Sequence, residues 1–190
     1  MIRGALKEWR VDDPAWLATN VGPVIDAEAF DGIGAHTARP RREATLIGEA
    51  WLASALPRRI APIAFEPRAI AAVQQEIFGP VLHVVRRGGD VDAVVAQINA
   101  LGHGLTLDIQ TRIDSRALRL AWAVRIGNVY VNRNMIGAGV GVPPFGGEGL
   151  SGTGPKAGGP HYLYRFCAEQ AVTINTAAAG GNAALLAGGA

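Results

Sequence analysis

The sequence predicts an α/β fold built on a parallel-rich sheet, and three observations carry that expectation. Between positions 81 and 131, short apolar runs alternate with longer amphipathic ones. Strands separated by helices in this way pair in parallel through right-handed crossovers. The apolar runs are also near-continuous rather than alternating, which is the pattern of strands covered on both faces. Finally, the 190 residues are 49% hydrophobic and 18% charged, enough for a domain with a sizeable core and too weakly charged for disorder.

Taken in order, Ile2, Ala5, Leu6 and Trp9 recur at helical spacing and predict a helix over 2–10, ending before Asp12-Asp13-Pro14. A second helix is expected over 23–34, with Asp26 as its N-cap. The text from 38 to 59 is irregular and supports only a helix near 43–55. RIAPIAF at 59–65 reads as a strand, demoted to an edge by Pro62. A short helix follows at 69–75, then a strand at 81–86. An amphipathic helix spans 90–101, with Asp90 or Asp92 at its start and Gly102 as its stop. A strand at 105–109 leads to a helix at 114–124 with Leu118, Leu120, Ala121 and Val124 facing inward, and then to a strand at 129–131. After a long loop, a helix is expected at 161–168 and a strand at 170–175. An Ala/Gly-rich tail begins at Ala177.

The long loop, 127–160, has neither helical nor strand periodicity and is dominated by glycine and proline in its second half. Val140, Val142, Phe145 and Leu150 are interleaved with the glycines, and prolines at 143, 144, 155 and 160 fix φ at defined points. That combination reads as an ordered binding loop rather than a flexible linker. Three familiar motifs fail within it. The run G-L-S-G-T-G-P-K, 149–156, has Pro155 before its lysine and Ala157 where a phosphate loop needs a hydroxyl. Pro143 and Pro144 block the helix that a dinucleotide fingerprint at 137–141 would open. A nucleophile elbow at Ser151 fails because Thr153 stands where its second glycine is required.

The text VNRNMIGAGVGVPPFGGEGLSGTGPKAGGPHYLYRF, with EIFGPV at 76–81 and the tail EQAVTINTAAAGGNAALLA, resembles the C-terminal region of aldehyde dehydrogenases that oxidise L-glutamate γ-semialdehyde. Within them it is most similar to the dehydrogenase half of the bifunctional proline-catabolic group, proline utilization A. The likeness runs from Glu76 to the end, is weaker over 1–33 (VDDP, VGPVIDAEA), and fades between 34 and 68. It implies part of an aldehyde dehydrogenase catalytic domain over 1–168, and an oligomerisation strand with its tail over 169–190. NAD is the implied cofactor and L-glutamate γ-semialdehyde the implied substrate.

Read from the residues alone, Glu76 is a surface carboxylate before a turn. The resemblance makes it the acceptor for the nicotinamide ribose hydroxyls, a task suited to an ionised carboxylate that takes two donors at once. Phe78 matches the aromatic beside the nicotinamide ring, with a plain core phenylalanine as the equal alternative. Gly137 and Ala138 match the positions whose backbone amides hold the substrate's α-carboxylate, against the reading of an ordinary turn. Phe145 matches the aromatic enclosing the aliphatic part of the substrate. Pro143 stands where this family is expected to carry glutamine.

The family attacks its aldehyde with a cysteine thiolate, forming a thiohemiacetal and then a thioester. That cysteine lies upstream of EIFGP in the resembled proteins, whereas Cys167 lies far downstream. Cys167 therefore reads as a buried thiol in an apolar run, and no catalytic residue is assigned within the chain. The general base and nucleotide-binding domain also lie upstream in the family. The expectation is a C-terminal piece, inactive alone, whose partners are an upstream dehydrogenase half and further copies of itself. The alternative is a non-enzymatic remnant or oligomerisation module.

A net charge of +2 without a basic stripe argues against nucleic-acid binding. The single cysteine excludes an internal disulfide, and His36, His83, His103 and His161 lack ligand spacing, so no metal site is expected. MIRGALKEWR has no apolar core of a signal peptide, and no apolar run reaches the roughly 20 residues of a membrane span. A cytoplasmic location is the expectation.

Overall fold

The computed structural model of the chain describes residues 1–52, 57–73, 75–136, 139 and 141–175. The chain divides into two compact units, Met1–Leu101 and the residues from Gly102 onward.

The first unit opens with helix α1, Ile2–Glu8, whose apolar side packs on the strand β1, Thr45–Glu49. Leu6, Ala50 and Ala64 form the centre of this packing, with Ile2 and Ile47 against it. Helix α2, Ala27–Ala38, begins where the sequence places it: Asp26 caps it by accepting from the Ala29 amide at 2.7 Å. It runs past Gly34 because buried Ile33 anchors its middle. A single turn, α3 (Pro40–Glu43), starts on proline, whose missing N–H is not needed there.

The helix expected near 43–55 is instead strand β1 through Glu49, and residues 53–56 lie outside the described residues. Leu46 and Ile47 take extended backbone because a partner is available: β1 pairs antiparallel with β2, Ile63–Glu66, with a bulge between Leu46 and Gly48. Strand β2 is not an edge. It lies between β1 and the parallel strand β3, Val81–His83, with Ala64 and Phe65 wholly buried. Pro62 demotes nothing because it precedes the ladder, where its carbonyl accepts from the Ala50 amide at 2.8 Å. The helix expected at 69–75 is only a 3₁₀ turn, Ile70–Ala72, with Gln74 outside the described residues. Helix α4, Val91–Ala100, is capped by Asp90, which accepts from the Asp92 and Ala93 amides. Gly102, at φ 75°, follows its end.

The second unit contains a parallel pair, β5 (Thr106–Ile109) and β6 (Asn128–Val131), joined by the crossover helix α5, Asp114–Ala123. The buried face of α5 is Ala117, Leu120 and the following Val124, at helical spacing. Leu118, expected to face inward, lies off that stripe and is 63% exposed. A short antiparallel pair, β4 (His103–Gly104) with β7 (Glu148–Gly149), ties the long loop back. Strands β3 and β5 belong to different sheets. The mixed helix-and-sheet class is therefore as predicted, but an alternating pattern does not say which strands pair.

Residues 162–166 form a 3₁₀ segment rather than the expected helix, the backbone turning extended at Cys167. No strand forms over 170–175: a ladder needs a second strand, and none pairs there among the described residues. Cys167 is exposed rather than buried, its thiol donating to the Leu163 carbonyl at 3.4 Å. The tight turn is held by short-range backbone bonds such as that from the Cys167 amide to the Tyr164 carbonyl, and it does not cover the thiol. The tail from 176 lies outside the described residues.

Candidate functional site

The EIFGP loop of the first unit is fixed at its C-terminal end and presented at its start. Gly79 sits against Ile33, so close that a Cβ built there would lie 2.4 Å from the Ile33 Cδ1. A side chain at 79 would require Ile33 to shift. One residue on, the Pro80 carbonyl accepts from the Ile63 amide at 3.0 Å, and the strand β3 begins. These anchors hold Phe78 in left-handed backbone, φ 53°, with its ring 81% exposed. Among the described residues Phe78 is therefore not a core side chain. Such backbone disfavours a residue with a Cβ by about 1–2 kcal/mol, and the exposed ring gains nothing from burial. Strain of this kind collects where a side chain is held out for a ligand. Glu76, two residues earlier, is exposed, with no hydrogen bond or ion pair among the described residues.

In the second unit, Gly137 and Ala138, together with Val140, lie outside the described residues. Phe145 is half-buried and doubly bonded to Ala157: its amide donates to the Ala157 carbonyl at 3.0 Å, and the Ala157 amide donates back at 2.9 Å. Asn128, 7% exposed at the head of β6, clamps the backbone on either side of Phe145. Its Nδ2 donates to the Pro144 carbonyl at 3.0 Å, and its Oδ1 accepts from the Gly146 amide at 3.1 Å. Both halves of the amide are used, so the loop can approach β6 in only one register. Gly127 permits that approach, since a Cβ there would lie 2.0 Å from the Gly146 carbonyl oxygen. The ammonium of Lys156 donates to the Gly127 carbonyl, and Ser151 Oγ accepts from the Gly104 amide at 3.1 Å. Loop residues 141–160 are thus ordered, as the interleaved apolar residues suggest.

Asn128 is the residue that sequence reasoning missed. Its signal was an amide side chain at the start of an otherwise apolar strand, a position where a buried polar group must find partners. Among the described residues, no three metal-ligating side chains converge, and no helix is long and apolar enough to cross a membrane.

The sequence pattern of the aldehyde dehydrogenase family matches residues 2–172. Bifunctional protein PutA of Klebsiella aerogenes is 47% identical over 178 residues, covering 90% of this chain and 14% of that protein. A 1-pyrroline-5-carboxylate dehydrogenase of Bacillus cereus is 36% identical over 164 residues, covering 83% of this chain and 31% of its own. A crystal structure of a Bradyrhizobium japonicum proline utilization A variant superposes with a TM-score of 0.84 at 50% identity, over 93% of this chain and 18% of that one. The chain therefore spans about a seventh of the length of the curated PutA proteins it resembles. With the family pattern spanning nearly all of its residues, the chain belongs to the aldehyde dehydrogenase family.

Proposed function

We propose that this chain is the C-terminal portion of an NAD-dependent L-glutamate γ-semialdehyde dehydrogenase of proline catabolism, contributing cofactor and substrate contacts to a reaction completed by upstream residues. The observation that carries the reading is the EIFGP loop, which holds the Phe78 ring out on left-handed backbone with the exposed Glu76 beside it. This arrangement fits a nucleoside: an ionised carboxylate with unused acceptor sites suits a pair of ribose hydroxyls, and an exposed aromatic face suits a flat ring. When bound, NAD supplies the hydride acceptor for oxidation of the aldehyde to the carboxylate.

The chain's own residues have binding and positioning roles. Glu76 orients the ribose, and Phe78 covers one side of the nicotinamide position. The backbone amides of Gly137 and Ala138 receive the substrate's α-carboxylate. Phe145, fixed by Asn128 and Ala157, covers the aliphatic carbons and excludes water from them. No catalytic nucleophile is assigned within these residues. Cys167, bonded to the Leu163 carbonyl, lies outside both loops. Residues 1–168 would then be part of the catalytic domain, and 169–190 an oligomerisation strand and tail that orders on a partner copy in the cytoplasm.

The test is reconstitution. The 190-residue chain alone should form no NADH from glutamate semialdehyde, whereas mixing it with a separately expressed upstream dehydrogenase half should restore activity. Turnover by the isolated chain, lost in Cys167→Ala, would sink the assignment.

A further inference from the structure

We propose that the pocket where α2 and α3 meet the end of β3 is a binding site for a small molecule carrying a phosphate group, independent of the dehydrogenase reading. The cavity measures about 370 Å³, within the range of small-molecule sites, about 300–1,000 Å³. Its lining is unusually basic: Arg39, Arg42 and Arg68 stand against one carboxylate, Glu43, with His36 and His83 beside them. The acid is answered locally. Arg39 Nε lies 3.7 Å from Glu43, and the same guanidinium donates to the Ala72 carbonyl, fixing one lip of the pocket. Arg42 and Arg68 have no side-chain partner among the described residues. Two planar guanidinia left over in the lining of a cavity are groups suited to holding an oxyanion by paired N–H donors.

The two histidines add a proton store. Their Nε2 atoms are 3.1 Å apart with the rings edge to face, so one ring donates and the other accepts. The accepting ring, being neutral, carries its proton on Nδ1 and so retains a donor. Burial, reinforced for His36 by Arg39 and for His83 by His36, holds both below the ordinary histidine range. The pair is therefore neutral near pH 7 without a ligand, and an arriving dianion favours uptake of a proton by it. A phosphate presents two charges on one group, to the guanidinia and this proton together, which a singly charged group, such as each carboxylate of a dicarboxylate, does not.

The imidazole NMR resonances of the isotopically labelled 190-residue chain, alone or held in solution by an unlabelled upstream half, test this directly, since it has only four histidines and His103 and His161 serve as controls. Inorganic phosphate, ribose 5-phosphate and succinate are titrated separately at constant ionic strength in chloride. Saturable shifts of His36 and His83 with either phosphate, and a raised titration midpoint of the pair, are expected. Tighter binding of ribose 5-phosphate identifies an organic phosphate as the ligand, and equal binding identifies free phosphate. Arg42→Gln with Arg68→Gln should weaken binding at least tenfold while leaving the ligand-free histidine spectrum unchanged. Should that spectrum change, each single substitution must weaken binding with its own spectrum intact. Absence of saturation with both phosphates, undiminished binding in the variants, or succinate binding as tightly as phosphate would overturn the proposal.

Discussion

At the scale of single residues, Asn128 and the Gly137-Ala138 pair allow opposite kinds of test. Asn128 acts through the fold. Its replacement by alanine removes a partner from the Pro144 carbonyl and the Gly146 amide, each partly buried, at a cost of up to about 1–3 kcal/mol apiece. The denaturant midpoint of Asn128→Ala should fall with an unchanged slope, and an unchanged midpoint would mean that water replaces the side chain freely. Gly137 and Ala138, if they grip a carboxylate through main-chain amides, should respond to bulk rather than to side-chain chemistry. In the reconstituted enzyme, Ala138→Val should lower kcat/KM for glutamate semialdehyde by the worth of a charge-assisted bond, about 1.5–3 kcal/mol. A simple aliphatic aldehyde, which never used the contact, should be largely spared. Phe145→Ala should weaken both, because it removes apolar enclosure. Equal losses for both aldehydes with Ala138→Val would leave the pair as an ordinary turn.

At the scale of elements, the His36–His83 bond ties α2 to β3, and its sign with pH is determined. Both groups have folded pKa values below the ordinary 6.5, burial being the first cause in each. Charging them is easier in the unfolded chain, so their contribution to stability is intact above pH 6.5 and is lost as pH falls through the lowered values. The charged groups facing the pair are Arg39, Arg42 and Arg68, with the carboxylate of Glu43. Urea unfolding should show lower stability at pH 5.5 than at pH 7.5. A double His36→Gln, His83→Gln variant should flatten that difference, and an equally steep dependence in the variant would place the titrating groups elsewhere. The strands illustrate a different point. Isolated from its neighbours, the 45–49 segment has no more claim to be a strand than a helix, and β2 decides the matter by pairing with it.

At the scale of the whole chain, much apolar surface is uncovered. Trp122, Phe166, Val172 and Ile174 are exposed, as are Trp16 and Leu17. The Asp108 Oδ1 and the Tyr130 hydroxyl are buried without partners among the described residues. Surface of this kind marks sites of association, so the isolated 190-residue chain should self-associate or require the upstream half to stay soluble. Light scattering of the chain alone and of the mixture checks this. A monodisperse monomer with a cooperative thermal transition would contradict it.

What the sequence determined by itself is what depends on neighbours a few positions away. The Asp26 and Asp90 caps, the Gly102 stop and the β5–α5–β6 crossover were all legible, because caps, stops and periodicity are local physics. The EIFGP and glycine-loop segments, through their family resemblance, suggest Glu76, Phe78 and Phe145 as site residues, which remains a proposal. Tertiary structure alone decided the rest. It made β2 a central strand and turned Leu118 outward. It left Cys167 exposed, set Phe78 on left-handed backbone, and packed Gly79 against Ile33, distant in sequence. It also brought His83 onto His36 across 47 positions. Pairing, burial and close approach depend on what arrives from elsewhere in the chain, and no local pattern encodes that.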